Sequence, residues 1–166
     1  MAIPCCCFRR WPEADWMRIT NSAIEPDKLR QLLTGDAAGA YVAFEGWIRN
    51  ENEGQDVLRL EYEVYEPLAV KEGAKIIAEA RVKYPILQAD CVHREGLLEI
   101  GECAVWVGVT SVHRDEAFAA CRFIIDEVKV RLPVWKKEYY VNGDSGWVNC
   151  ERCAAHSKPE RKIMGS

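Results

Sequence analysis

The sequence carries no basic excess: Lys and Arg number 22 against 26 for Asp and Glu, a net charge of −4. A general nucleic-acid binder shows the opposite balance, so that class is excluded. No apolar run approaches about 18 residues, and mean hydropathy is −0.22, so no segment is expected to span a membrane. The opening stretch Met1-Ala-Ile-Pro-Cys-Cys-Cys-Phe-Arg-Arg10 lacks the apolar core of a secretory signal, which favours a cytoplasmic protein with reduced thiols. Histidine occurs only 3 times. No His-rich metal motif, Gly-rich phosphate loop or Ser/His/Asp signature is present.

What is abundant is cysteine, with 8 residues. Cys5, Cys6 and Cys7 are consecutive and cannot easily bridge one another. Cys91, Cys103 and Cys121 lie inside apolar segments, where a small apolar residue would serve as well. Cys150-x-x-Cys153 with His156 offers part of a zinc site. A structural site needs four ligands, and no second pair at ribbon spacing exists, so an incidental pair in a tail is preferred to a metal centre.

With 166 residues, 49% of them apolar, the chain fits one domain with a sizeable core. Residues 1–21 show no periodicity and read as an extension, 22–150 as the domain, and 151–166 as a tail. Ser22-Ala-Ile-Glu25 has capping-box spacing, Pro26 suits a first helical turn, and Leu29, Leu32 and Leu33 form a short stripe ended by Gly35. Tyr41 to Arg49 is a strand, followed by a polar loop. Val57 to Tyr65 alternates, with Leu58, Leu60, Tyr62 and Val64 on one side, and is expected to pair with the first strand across the loop. Pro67 opens a helix to Tyr84, with Leu68, Ala69, Ile76, Ile77 and Ala80 packed; Pro85 stops it. Gln88 to His93 and Cys103 to Ser111 are strands, the second apolar enough to be central. A helix from His113 to Leu132 and a last strand from Val134 to Val141 follow. Two main helices on a mostly antiparallel sheet give an α+β fold.

Basic groups fall at element ends. Arg49 closes the first strand, His113-Arg114 opens the long helix, and Lys129 and Lys136 lie near its end and just beyond. A helix start offers free N–H groups and a positive dipole, so His113-Arg114 reads as an anion site, most plausibly for phosphate, against the alternative of a solvated face. Lys129 follows Val128 and stands four residues after Ile125, on the border of the apolar stripe. It is either partly desolvated there or snorkels to water. Trp135 is either a pocket wall or core. The residues themselves thus define an α+β domain with a candidate basic pocket for an anionic small molecule.

Gly46-Trp47-Ile48-Arg49-Asn50 with Gly54, Val92-His93-Arg94 with Gly96, Ile100-Gly101-Glu102, Val107 through Arg114 with Ala117-Phe118, and Lys129 before Pro133-Val134-Trp135-Lys136-Lys137-Glu138 resemble the large, catalytic subunit family of molybdopterin synthase. The motifs stand in that family's order and spacing over roughly 22–150. Glu95 departs from it, standing where the His-Arg-x-Gly motif usually has an apolar residue. The resemblance implies an α/β-hammerhead fold and a homodimer within a heterotetramer, each subunit binding one small ubiquitin-like sulfur carrier. It implies conversion of cyclic pyranopterin monophosphate (precursor Z) into molybdopterin, with sulfur taken twice from the carrier's thiocarboxylated C-terminus. By position, Lys129 and Lys136 correspond to active-site lysines. Arg49, His113 and Arg114 correspond to substrate-binding groups, with Lys137 and Glu138 alongside. No metal and no organic cofactor is implied, because the carrier supplies the sulfur. The competing reading is a non-catalytic module that binds an anion or a partner's tail; it requires that the lysines not converge on one pocket.

Overall fold

A computed structural model describes residues 16–143 and 145–149. The chain runs β1 (Trp16–Thr20), α1 (Pro26–Leu32), β2 (Ala40–Trp47), β3 (Glu51–Asn52), β4 (Gln55–Val64) and α2 (Glu66–Lys83). It continues with β5 (Ile86–Arg94), β6 (Gly96–Glu99), β7 (Cys103–Ser111), α3 (Arg114–Arg131), β8 (Val134–Tyr140) and β9 (Ser145–Asn149). The class is α+β, with two main helices and strands that pair antiparallel apart from β1 with β5, as expected.

The strands divide into two sheets. The first has the order β1-β5-β7-β2, and the second β3-β4-β8-β9 with β6 also on β4. The central position expected for the apolar strand holds: β7 is buried from Ala104 to Ser111 because both its faces are covered. Val105, Val107 and Val109 join Ile76 and Ile77 of α2 and Ile124 and Ile125 of α3 in the main core. On the other face Trp106 packs with Leu29 of α1 and Leu33 just past its end. That packing requires the glycine at 108, where a Cβ would lie 2.3 Å from the Trp106 ring. The end of α3 is tied to the body of α2 by Arg131, whose guanidinium bridges Glu72 and Glu79 of α2 and also reaches Glu127. Those partners hold the Arg131 pKa above its ordinary value.

Several expectations change. Tyr41–Arg49 does not pair with the strand after the loop: β2 pairs with β7, and β4 with β6 and β8. Between them the chain leaves one sheet for the other through Ile48, whose N–H bonds to Glu102 O and whose carbonyl accepts from Gly101. The intervening loop forms its own small hairpin, β3 with β4, turned by Gly54 at φ +77°, a conformation glycine adopts without steric cost. The strand ends at Trp47, so Arg49 lies in the crossover. Leu58 points outward and Val57 inward, because the β4–β8 register shifts between Val57 and Arg59 and breaks the simple alternation. Leu32 and Leu68 are exposed, each at the edge of a helical stripe.

The extension contains β1, parallel to β5, in which Met17 is the one buried residue and no alternation could announce it. The connection 96–101 holds β6, and β9 follows the expected last strand. Ser22 caps nothing: α1 starts at Pro26 with Glu25 as N-cap and no side-chain cap bond.

Candidate active site

Alternation along β8 determines which of its charges turn inward. Val134, Lys136 and Glu138 are buried, and the register sets Lys136 opposite Tyr62 and Glu138 opposite Leu60. Two charged side chains thereby sit over the second sheet's apolar cluster of Ile48, Leu60 and Leu98. They line a pocket of about 100 Å³ together with Arg49 and Asn52 from the crossover and hairpin.

Buried charge requires partners, and here a network supplies them. Lys136 Nζ lies 2.8 Å from Glu138 Oε1. Glu138 Oε2 accepts from Asn52 Nδ2 at 2.9 Å and from the Tyr140 hydroxyl. Asn52 Oδ1 in turn accepts from Arg49 Nη2 at 2.8 Å. Burial alone would raise the Glu138 pKa, but the bonds from Lys136 and Tyr140 prevail and hold it below the usual carboxylate range. Glu138 therefore stays ionised, and it raises the pKa of the Tyr140 phenol that it binds.

Lys129 approaches from the last turn of α3. Its side chain is exposed, so the snorkelling alternative holds, with Nζ 5.6 Å from the centre of the Phe44 ring. Within reach of its charge lies His93, buried, with Nδ1 2.7 Å from the Arg94 carbonyl. A carbonyl only accepts, so Nδ1 carries the proton and Nε2 keeps its lone pair. Burial, with the charge of Lys129 acting the same way, pushes the His93 pKa down to about 4. The Tyr62 ring meets His93 edge-on at 5.0 Å. His93 and Tyr62 thus meet edge-on and Tyr62 stands opposite Lys136, while Lys129 acts on His93 through its charge. His93, Tyr62, Asn52 and Tyr140 are additions that the sequence reading did not select; the one available signal was the histidine of the Val92-His93-Arg94 motif.

The neutral His93 has a thermodynamic consequence. Between pH of about 6.5 and 4 the unfolded chain takes up this proton and the folded chain does not, so stability falls as pH falls. Across that window the loss approaches about 3 kcal/mol. Denaturant titrations at stepped pH should show it for the parent protein, and His93→Gln should flatten the slope. Parallel slopes would remove this assignment.

The remaining predicted site residues lie elsewhere. Lys137 alternates to the opposite face of its sheet, with Nζ 4.9 Å from the Tyr139 ring centre and 5.8 Å from that of Trp147. His113 is the N-cap of α3, and both it and Arg114 are exposed. Fifteen residues of helix, roughly 22 Å, separate Arg114 from Lys129. Within one chain the helix start is therefore at the far pole from the lysines.

Among the described residues the cysteines do not line the pocket. Burial pushes the Cys103 and Cys121 thiols up to about 11, and raises Cys91 as well. Cys5, Cys6, Cys7, Cys150, Cys153 and His156 lie outside the described residues. Among the described residues no group of three or more His, Cys, Asp or Glu could hold a metal ion, and no helix is long and apolar enough to cross a membrane.

An α+β scaffold that sets Lys136, Arg49 and the buried carboxylate of Glu138 around one pocket, with the charge of Lys129 acting on the neighbouring His93, presents a site suited to anionic ligands. Residues 19–131 match the family described as MoaE protein. A molybdopterin synthase catalytic subunit from Thermoplasma volcanium is 42% identical over 132 residues, covering 80% of this chain and 96% of that one. The crystal structure of molybdopterin synthase from Staphylococcus aureus superposes with a TM-score of 0.75 at 35% identity, covering 78% of this chain and 94% of the other. A complex of subunits 1 and 2 of molybdopterin-converting factor from Helicobacter pylori shares the fold at TM-score 0.64 and 21% identity, covering 76% of this chain and 86% of that chain. The chain belongs to the MoaE family of molybdopterin synthase catalytic subunits, sulfurtransferases of molybdenum cofactor biosynthesis.

Proposed function

We propose that the chain transfers sulfur from the thiocarboxylated C-terminus of a small ubiquitin-like carrier to cyclic pyranopterin monophosphate, building the dithiolene of molybdopterin. The observation that carries this reading is the pocket in which Lys136 and Arg49 meet around Glu138 and Asn52, with His93, edge-on to the pocket's Tyr62, within reach of the Lys129 charge. A binding module would not need two cations at a reacting centre.

In the proposed reaction the thiocarboxylate sulfur bonds to a side-chain carbon of the pterin and displaces an oxygen there: in one round the C–O bond of the cyclic phosphate breaks, opening it to a terminal monoester, and in the other the carbonyl oxygen leaves as water. Water then cleaves the carrier–sulfur bond, leaving sulfur on the pterin and an ordinary carboxylate on the carrier, and a second round completes the pair. Lys136, aimed by Glu138, holds the thiocarboxylate; Lys129 stabilises charge on the acyl oxygen as it develops, or delivers the proton that quenches it. Arg49 takes the phosphate end. The carrier brings the sulfur, so this scheme calls for no resident metal or organic cofactor, and it places the enzyme in the cytoplasm. Mixing the protein with thiocarboxylated carrier and cyclic pyranopterin monophosphate should yield dithiolene product; none from folded protein would refute the activity.

His113 and Arg114 join the same site if a second copy supplies them, which makes the homodimer a requirement of the chemistry. In a two-fold dimer each site would combine the lysine pole of one subunit with the helix start of the other. Lys129→Ala and Arg114→Ala proteins, each impaired alone, should then regain about a quarter of parental activity when co-refolded, because half the dimers carry one intact site. No recovery in proven mixed dimers would place His113-Arg114 outside the site.

A further inference from the structure

Trp47 is 66% exposed, an unusual position for a side chain with so much apolar surface. It belongs to none of the core clusters, yet it lines the same pocket as Arg49, Asn52, Lys136 and Glu138. Two features fix it there. The β2–β7 register shifts between Gly46 and Trp47, and such irregularities re-aim the side chains that follow. The indole Nε1–H then donates to Glu45 Oε2 at 3.0 Å, tying the polar edge of the ring back to its own strand. What remains exposed is the apolar surface of the ring, at a pocket whose other exposed groups are charged or polar. An aromatic face beside a guanidinium and a carboxylate is suited to a flat heteroaromatic ring that carries an anionic group: stacking on the indole takes the ring, and Arg49 takes the charge.

We propose that Trp47 is the stacking platform for the flat aminopyrimidinone ring of the pterin substrate, and so the residue that makes this pocket select a pterin over other phosphorylated molecules. This rests on the function proposed above. The indole binds ring rather than reacting atoms, so its removal should weaken substrate affinity more than the chemical steps.

The test is calorimetric titration of cyclic pyranopterin monophosphate into the dimeric protein without carrier, where turnover cannot occur, paired with steady-state assays in its presence. Trp47→Ala should raise both Kd and KM roughly 10-fold, with the loss falling on KM far more than on kcat, and Trp47→Phe should recover most of it. Equal Kd for parent and Trp47→Ala would overturn the inference while leaving the sulfur-transfer activity standing. A Trp47→Ala protein that elutes as a monomer would overturn it too, by making Trp47 an interface residue. A parent that binds no pterin and forms no dithiolene would instead remove the functional reading on which the inference rests.

Discussion

Replacing Lys129 by alanine should lower the single-turnover rate of dithiolene formation by about 10²- to 10³-fold, the usual cost of losing one preorganised charge at a developing oxyanion. The fold should not notice. Lys129 is exposed, with its ammonium over the face of Phe44. Surface substitutions of this kind change stability by no more than about 0.5 kcal/mol. The prediction is therefore a large kinetic effect at an unchanged Tm, and it separates a catalytic role from a structural one. Lys129→Arg keeps the charge but moves it outward on a longer, planar head, and should recover only part of the rate. A Lys129→Ala enzyme working at the parental rate would remove the ammonium from the mechanism.

Glu138 is expected to behave in the opposite way, with stability and activity falling together. Alanine there leaves the Lys136 ammonium buried without its 2.8 Å partner, a loss of about 3 kcal/mol or more. In a domain of this size that lowers Tm by roughly 10 °C. Activity should fall as well, since Lys136 loses the group that aims it. The two effects separate in a double variant: Lys136→Met with Glu138→Leu fills the same space without charge and should recover most of the Tm, while sulfur transfer stays lost. Thermal unfolding and a dithiolene assay on the three proteins decide the matter. A Glu138→Ala protein as stable as the parent would show that Lys136 reaches water by another route.

How far the sequence could be read follows from how local each signal was. Strand β7 was legible to its end residues because its apolar run is continuous and bounded by polar turns. The two long helices were placed within a residue or two by Pro67, Pro85 and Pro133. Strand pairing was not legible: β2 and β4 are adjacent in sequence but belong to different sheets, and no local pattern records that the chain changes sheet at Ile48. The short strands β1 and β6 are held by neighbours far along the chain, and β3 and β9 are short hairpin arms on β4 and β8, so their own residues say little. The same limit applied to the site. Lys129, Lys136 and Arg49 were found as basic residues at element ends and Glu138 through the family resemblance, whereas Asn52 matters only because it meets Glu138 across 86 positions. Trp47 was visible as a motif member but not as an exposed ring. The separation of Arg114 from Lys129 was available in principle, since both lie on one helix and its rise is fixed.

The clamp at Arg131 bears on Lys129 two residues before it. By riveting the last turn of α3 to Glu72 and Glu79 of α2, it removes the fraying to which a helix end is prone. The backbone beneath the ammonium is thus already stationary when substrate arrives, and only the side-chain torsions remain to be ordered on the way to the transition state. Disturbing the clamp would leave every group of the pocket chemically intact and would surface as a less favourable activation entropy, with the activation enthalpy little changed.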